Sequence, residues 1–276
     1  LLSEEFGFHP LAIEDAARLH ERPKIETHSG HYFLIFYALH YDEASRRISM
    51  QQVSLFIGQN YLVCIHRDPI AAIDETIRRW QRNESDFGED IAELLYHLLD
   101  TIVDGYFPVL DLLAERVEDI EEQIFERFQP AALQEIFALK RELLMMRRII
   151  APERDLLNVL IRREAPIYPR EMVAYFQDIY DHVIRITDSI DTYRDLLSSA
   201  LDAFLSLQSN QLNEVVKILT IASIILMSCA LIAGIYGMNF QFMPELAWPL
   251  GYPFALGLML LLSALLIGLF RWRRWL

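Results

Sequence analysis

The chain has 276 residues, enough for one or two domains with a sizeable core, and a formal net charge of −14. The charge is uneven: residues 217–276 carry Lys217, Arg271, Arg273 and Arg274 against Glu245, for +3, which leaves −17 on residues 1–216. An acidic body argues against a nucleic-acid partner, which selects for basic faces, and is compatible with cation binding.

Residues 1–82 read as an α/β unit. A short helix near Leu11 to Leu19 precedes three strand-like runs, "HYFLIFYALHY", "ISMQQVSLFI" and "YLVCIH". The last two are joined by Gly58-Gln59-Asn60, a hairpin signal, and "PIAAIDETIRRW" is helical. Residues 83–165 form a predicted antiparallel helix pair, 88–127 and 131–162, with Pro130 at the turn. Its acidic run, Glu115, Glu118, Asp119, Glu121, Glu122 and Glu126, reads as a solvated face. Cys64 and Cys229 give no disulfide framework, which fits a reducing compartment. No signal peptide is expected. His28 and His31 fall in an expected loop, and the eight histidines show no zinc-ligand spacing. There is no phosphate-binding glycine loop, nucleophile elbow or HExxH, so no enzyme is expected.

From Arg170 to Ala233 there is no Gly and no Pro. A continuous helix over that stretch would be about 96 Å long. Val173, Phe176, Ile179, Tyr180, Val183, Ile186 and Ile190 recur at threes and fours. The domain expected over 166–236 is therefore a stalk helix that continues as a first membrane span. A helix of this length needs partners along it, and a homo-oligomer of parallel stalks supplies them.

Two uncharged apolar runs, Ile218–Ile235 and Phe254–Phe270, are each near the ~20 residues that cross a bilayer. An external loop is expected over 237–252, a second span over 253–270 and a basic tail over 271–276. Lys217 precedes the first run and Arg271, Arg273 and Arg274 follow the second, whereas the connecting loop carries only Glu245. The positive-inside rule then puts both termini in the cytoplasm.

One face of the stalk carries Asp202, Leu205, Ser209, Asn213, Val216, Thr220, Ser223, Met227, Ala230 and Gly234. The opposite face of the span carries Ile221, Ile224, Ile225 and Ile232. Small residues allow close helix packing; polar ones are also tolerated along a water-filled axial pore. The stripe continues below the membrane as Asn213, Ser209 and Asp202, which favours the pore.

At "GIYGMNF" and "MPEL" (Met243 to Leu246) the sequence resembles the CorA family of divalent-cation channels. The resemblance extends to "SNQLNEVVKILTI", "YFQDIYDHVIRITDSIDTYRD" and "HPLAIEDAARLHERPKIE", and so covers essentially the whole chain. It implies a homopentameric funnel: an α+β cytosolic domain, a long helical stalk and two C-terminal transmembrane helices in the plasma (bacterial or archaeal inner) membrane. By the same comparison, residues 1–82 are expected to be an N-terminally shortened form of that domain. The implied selectivity filter is Gly237, Met238 and Asn239, with Asn239 forming a ring that contacts hydrated Mg²⁺. The implied pore face is Asn213, Val216, Leu219, Met227 and Gly234, with Asp202 deeper in the funnel; Thr220 and Ser223 join it from the stripe. Glu245 falls in the external loop. Val216 and Ser228 depart from the family, where Met and Pro are frequent. Regulatory divalent ions bind between neighbouring cytosolic domains in the family, at positions matching Glu14, Asp15, Asp100 and Asp178.

The expected function is a pentameric Mg²⁺ channel, also passing Co²⁺, gated by intracellular Mg²⁺. A zinc transporter resembling ZntB and a non-conducting membrane-anchored helical scaffold are the alternatives. The expected partners are further copies of the chain, the lipid bilayer and divalent cations.

Overall fold

The structure, a computed structural model, describes residues 5–18, 20–42, 47–82, 90–125, 131–162, 168–239, 243–244, 248–273 and 275. Leu19, Glu126, Pro130, Glu245, Leu246 and Arg274 lie outside the described residues. The chain divides into two units, Leu1–Asp202 and Ala203–Leu276.

The first unit is organised by one antiparallel ribbon. Strands β2 (His31–Asp42) and β3 (Arg47–Ile57) pair from Tyr32↔Ile57 to Asp42↔Arg47. β1 (Lys24–His28) adds to the free edge of β2, and β4 (Leu62–Ile65) to that of β3, giving the order β1-β2-β3-β4. β1 was not anticipated: "KIETH" is short and carries no apolar run. It places His28 and His31 opposite one another across a tight turn at Ser29-Gly30, where Gly30 has φ 87°, so these histidines end two strands and do not lie in an open loop.

Phe33 to Ala38 of β2 are all buried, so the strand is covered on both faces. Phe33, Ile35 and Tyr37 pack with Phe56 and with Phe8 and Ala12, the latter on helix α1 (Pro10–Ala17). Helices α2 (Ala71–Gln81), α3 (Ile91–Asp104), α4 (Tyr106–Phe125) and α5 (Ala131–Ile161) follow, with α3 and α4 against β2. The first limb of the predicted helix pair is thus two helices, divided at Gly105. Gly105 is a weak helix former, and Pro108 has no N–H to offer the carbonyl of Asp104. Glu115, Glu118, Asp119 and Glu122 of α4 are exposed, as a solvated face requires.

Helix α6 runs unbroken from Val173 to Tyr236, 64 residues, after a 3-10 turn at Arg170–Met172. Within the first unit its buried ridge is Phe176, Ile179, Val183, Ile186, Ile190 and Leu197. The second unit holds the rest of α6 and α7 (Gly251–Trp272); both helices are long and apolar enough to cross a membrane.

Candidate functional site

The membrane part of α6 has two unlike faces. Ile221 and Ile232 are buried, and Cys229, on the same side, lies with its Sγ 3.4 Å from the Ser263 Oγ of α7. The opposite side is open. Asn213, Val216, Thr220, Ser223, Met227 and Gly234 are all exposed, and so is Leu219 at the margin. Val216, Leu219 and Met227 leave 51%, 65% and 72% of their surface uncovered, but Ile218, Ile224, Leu226, Leu231 and Ile235 are exposed too, so the stripe is set apart by its polar and small residues and not by exposure. Thr220 donates its hydroxyl to the Val216 carbonyl at 2.8 Å, so its polar group is satisfied within the helix. Asp202 is exposed at the end of the first unit.

At the end of α6 the Gly237 N–H donates to the Ala233 carbonyl at 2.9 Å, and the Met238 N–H to the Ile235 carbonyl at 3.3 Å. Gly237 does not use a left-handed backbone; the positive-φ glycines among the described residues are Gly7 and Gly30. Its smallness serves a close approach instead, because a Cβ there would lie 3.1 Å from the Ala233 oxygen. Asn239 is exposed and also lacks positive φ: among the described non-glycine residues only His20 has it. A left-handed C-terminal cap, the ordinary structural use of Asn after a helix, is therefore not what Asn239 forms.

In the first unit, Asp100 and Asp104 stand one turn apart on α3, and Asp178 and His182 one turn apart on α6. Asp100, Asp104 and His182 each bring a ligand atom within 4.8 Å of the others. Burial, then the neighbouring Asp104, pushes the Asp100 carboxyl up to about 6; Asp178 adds to the rise, while His182 and Arg79 oppose it. The Nδ1 of His182 is 3.8 Å from Asp104 Oδ1, too long for a hydrogen bond, and it is shielded from water with no hydrogen-bond partner among the described residues. Burial, helped by Asp100 and Asp178, also raises the Tyr96 phenol to about 12. Two carboxylates and an imidazole in this arrangement suit a divalent cation. Asp104 and His182 were not anticipated, although the repeated spacing of four was readable in "DTIVD" and "DIYDH".

Glu14 and Asp15 lie on α1 and are not members of that group. Glu14 pairs with Arg18 at 2.5 Å, and Asp15 with the Lys24 ammonium at 2.6 Å. Lys24 also meets Glu26 at 2.6 Å. Burial works against the charge on Lys24, but its hydrogen bonds to Asp15 and Glu26 outweigh this and its pKa is raised.

The family described as "CorA-like Mg2+ transporter protein" matches residues 1–273. The chain belongs to the CorA family. A cobalt/magnesium transport protein CorA from Thermotoga maritima is 38% identical over 277 residues, covering 100% of this chain and 79% of the relative. A cobalt/magnesium transport protein CorA from Methanocaldococcus jannaschii is 29% identical over 276 residues, covering 99% and 86%. The complete structure of a CorA magnesium transporter from Methanocaldococcus jannaschii superposes with a TM-score of 0.88 at 28% identity, over 98% of this chain and 85% of that one. The ZntB cytoplasmic domain from Vibrio parahaemolyticus, at 15% identity and a TM-score of 0.64 over 75% of this chain and 82% of that one, shares the fold alone. This CorA chain thus has the expected fold class: an α+β domain, a long helix and a second C-terminal helix, with both helices able to span a membrane. It is a membrane protein.

Proposed function

We propose that the chain is a magnesium channel of the CorA type that also passes Co²⁺, and that it works as a homopentamer. Five α6 helices surround one axial pore. The uncovered stripe of α6, Asn213 to Gly234, faces that axis, and its buried side meets α7. Asn239 closes the outer mouth as a ring of neutral amide oxygens. Mg²⁺ gives up its water reluctantly, so the ring hydrogen-bonds to the hydration shell without stripping it. Weak sites of this kind permit release as well as entry.

The regulatory half lies in the cytosolic unit. Divalent ions held by Asp100, Asp104, Asp178 and His182, with Glu14 and Asp15, stabilise the closed pentamer, and their loss leaves like charges facing one another. Such an ion acts through its greater affinity for the closed state. The Lys and Arg distribution supports a plasma-membrane orientation with both termini in the cytoplasm.

The observation that carries this reading is the line of polar and small residues along a membrane helix, on the side away from the buried Ile221 and Ile232 and leading to Gly237-Met238-Asn239. The test is ion flux into liposomes containing the purified chain. Mg²⁺ uptake exceeding Zn²⁺ uptake, by a species of pentameric mass in native mass spectrometry, is the expected result. A dominant monomer or dimer without flux returns α6 to a scaffold role.

A further inference from the structure

The acidic positions assigned to regulation fall into two electrostatic classes. On α3 and α6, Asp100 and Asp104 gather around a histidine, and burial, then the neighbouring Asp104, raises the Asp100 carboxyl. On α1, each carboxylate already has a cation from its own chain. The Glu14–Arg18 pair is an i,i+4 contact between side chains 50% and 61% exposed, which water screens heavily. The Asp15–Lys24 pair is different: the two side chains are 18% and 30% exposed, and β1 fixes the lysine in the sheet through the pairing Lys24↔Ile35.

Lys24 has two carboxylates and not one. Its Nζ lies 2.6 Å from Asp15 Oδ2 and 2.6 Å from Glu26 Oε1. A divalent ion that coordinates Asp15 through either oxygen meets the ammonium's positive charge 2.6 Å from Oδ2, and it must displace that charge or share the carboxylate with it. An ammonium has three donors on a flexible stem, so it can give up Asp15 and stay on Glu26. Displacement therefore strands no charge, and it still has to be won on every binding event.

We infer that Lys24 is a tethered competitor for the divalent ion at Asp15, and that its division between Asp15 and Glu26 sets the cytosolic Mg²⁺ concentration at which the channel closes. This rests on the proposed regulatory role of Asp15. It also separates two roles for one ion pair. A lysine that merely positions Asp15 helps the ion to bind, and its removal weakens closure. A competitor hinders the ion, and its removal strengthens closure.

The experiment is Mg²⁺ flux through the full chain in liposomes, measured against Mg²⁺ on the cytosolic side. Lys24→Met keeps most of the aliphatic stem and removes the charge. It is expected to close at about fivefold lower Mg²⁺ than the wild type, the size of effect that fits a half-sheltered charge pair. Glu26→Gln leaves Lys24 to Asp15 alone and is expected to raise the closing concentration by a similar factor. An unchanged or raised threshold in an assembled Lys24→Met channel overturns the inference. Should that variant not assemble, Glu26→Gln decides alone: an upward shift supports the competitor, and an unchanged or lowered threshold overturns it. Asp15→Ala is the separate arm. If it closes at the wild-type concentration, Asp15 is not a regulatory ligand and the underlying reading fails. If it weakens closure while Lys24→Met does not sharpen it, only the inference about Lys24 fails.

Discussion

The backbone N–H of Tyr37, on β2, donates to the Glu153 carboxylate of α5 at 2.9 Å, across 116 positions of sequence. β1 ends its pairing at Lys24↔Ile35, so among the described residues no strand continues beside Tyr37 on that edge. Glu153 accepts its N–H, and the Tyr106 phenol of α4 donates to its carbonyl. The phenol oxygen is also 3.1 Å from Glu153 Oε2. The phenol has one proton to donate, and the Tyr37 carbonyl and the Glu153 carboxylate compete for it.

Burial raises the Glu153 carboxyl well above its usual range, and the hydrogen bonds from Tyr37 and Tyr106 lower it only in part. The sign follows from linkage. A raised carboxyl favours the fold fully below the unfolded value, about 4.3, and that contribution is lost as pH climbs toward the folded value. Glu153→Gln keeps the acceptor for Tyr37 and cannot ionise. Thermal unfolding of the full chain in detergent from pH 4.5 to 9 is therefore expected to show a wild-type midpoint that falls relative to the Gln variant as pH rises. Parallel profiles would show that Glu153 is not the titrating group. Glu153→Ala is expected to cost about 2 kcal/mol or more, because it leaves the Tyr37 N–H and one side of the Tyr106 phenol unpartnered in the core.

A second expectation concerns metal preference at α3 and α6. Mg²⁺ favours oxygen ligands, whereas imidazole nitrogen suits Co²⁺. His182→Ala should weaken Co²⁺ binding to the full chain by about tenfold while leaving Mg²⁺ nearly unchanged, whereas Asp100→Asn should weaken both. Isothermal titration in detergent measures this. Equal losses for the two metals in His182→Ala would mean that the imidazole is not a ligand.

These residues also show what sequence can and cannot disclose. The α6 stripe is legible because a membrane helix must sort its faces, so Ile221 and Ile232 part from Thr220 and Ser223 at helical spacing. The β2–β3 ribbon is legible because β2 is apolar on both faces. β1 is not, because "KIETH" owes its strand state to pairing with β2 and not to its own composition. Glu153 is hidden for a related reason. Between Pro152 and Arg154 it reads as a surface acid, and only Tyr37 and Tyr106 explain its burial. His182 completes a cluster whose other members are on α3, a relation that spacing within α6 alone does not encode.

Gly237 yields a prediction distinct from that of a turn glycine. Its backbone is one that any residue adopts, but an added Cβ would stand 3.1 Å from the Ala233 oxygen. Gly237→Ala must shift that carbonyl or the chain leading to Asn239 by a few tenths of an ångström. Stability should fall by about 1 kcal/mol or less, with assembly preserved. If these residues form the proposed filter, Mg²⁺ flux should fall severalfold, because the displacement would recur in every protomer. Wild-type flux in Gly237→Ala would mean that the outer mouth tolerates such a displacement.

Asn239 provides the sharpest test of the filter. A left-handed C-terminal cap takes Gly at least as readily as Asn, so Asn239→Gly would be harmless if capping were its role. Its backbone is not left-handed, so that role has no geometric basis. In the proposed pentamer, an amide ring that reads the hydration shell of Mg²⁺ would lose its acceptors with Gly, five together. Each hydrogen bond to a charged partner is worth about 1.5–3 kcal/mol, so the ring as a whole is a large term. Asn239→Gly is expected to assemble as the wild type does in native mass spectrometry and to lose Mg²⁺ uptake in liposomes. Asn239→Asp keeps the oxygens and adds charge; it should bind the hydrated ion more tightly and release it more slowly, lowering the maximal rate along with the Mg²⁺ concentration at half-maximal flux. Undiminished uptake by a correctly assembled Asn239→Gly channel would remove Asn239 from the conduction mechanism.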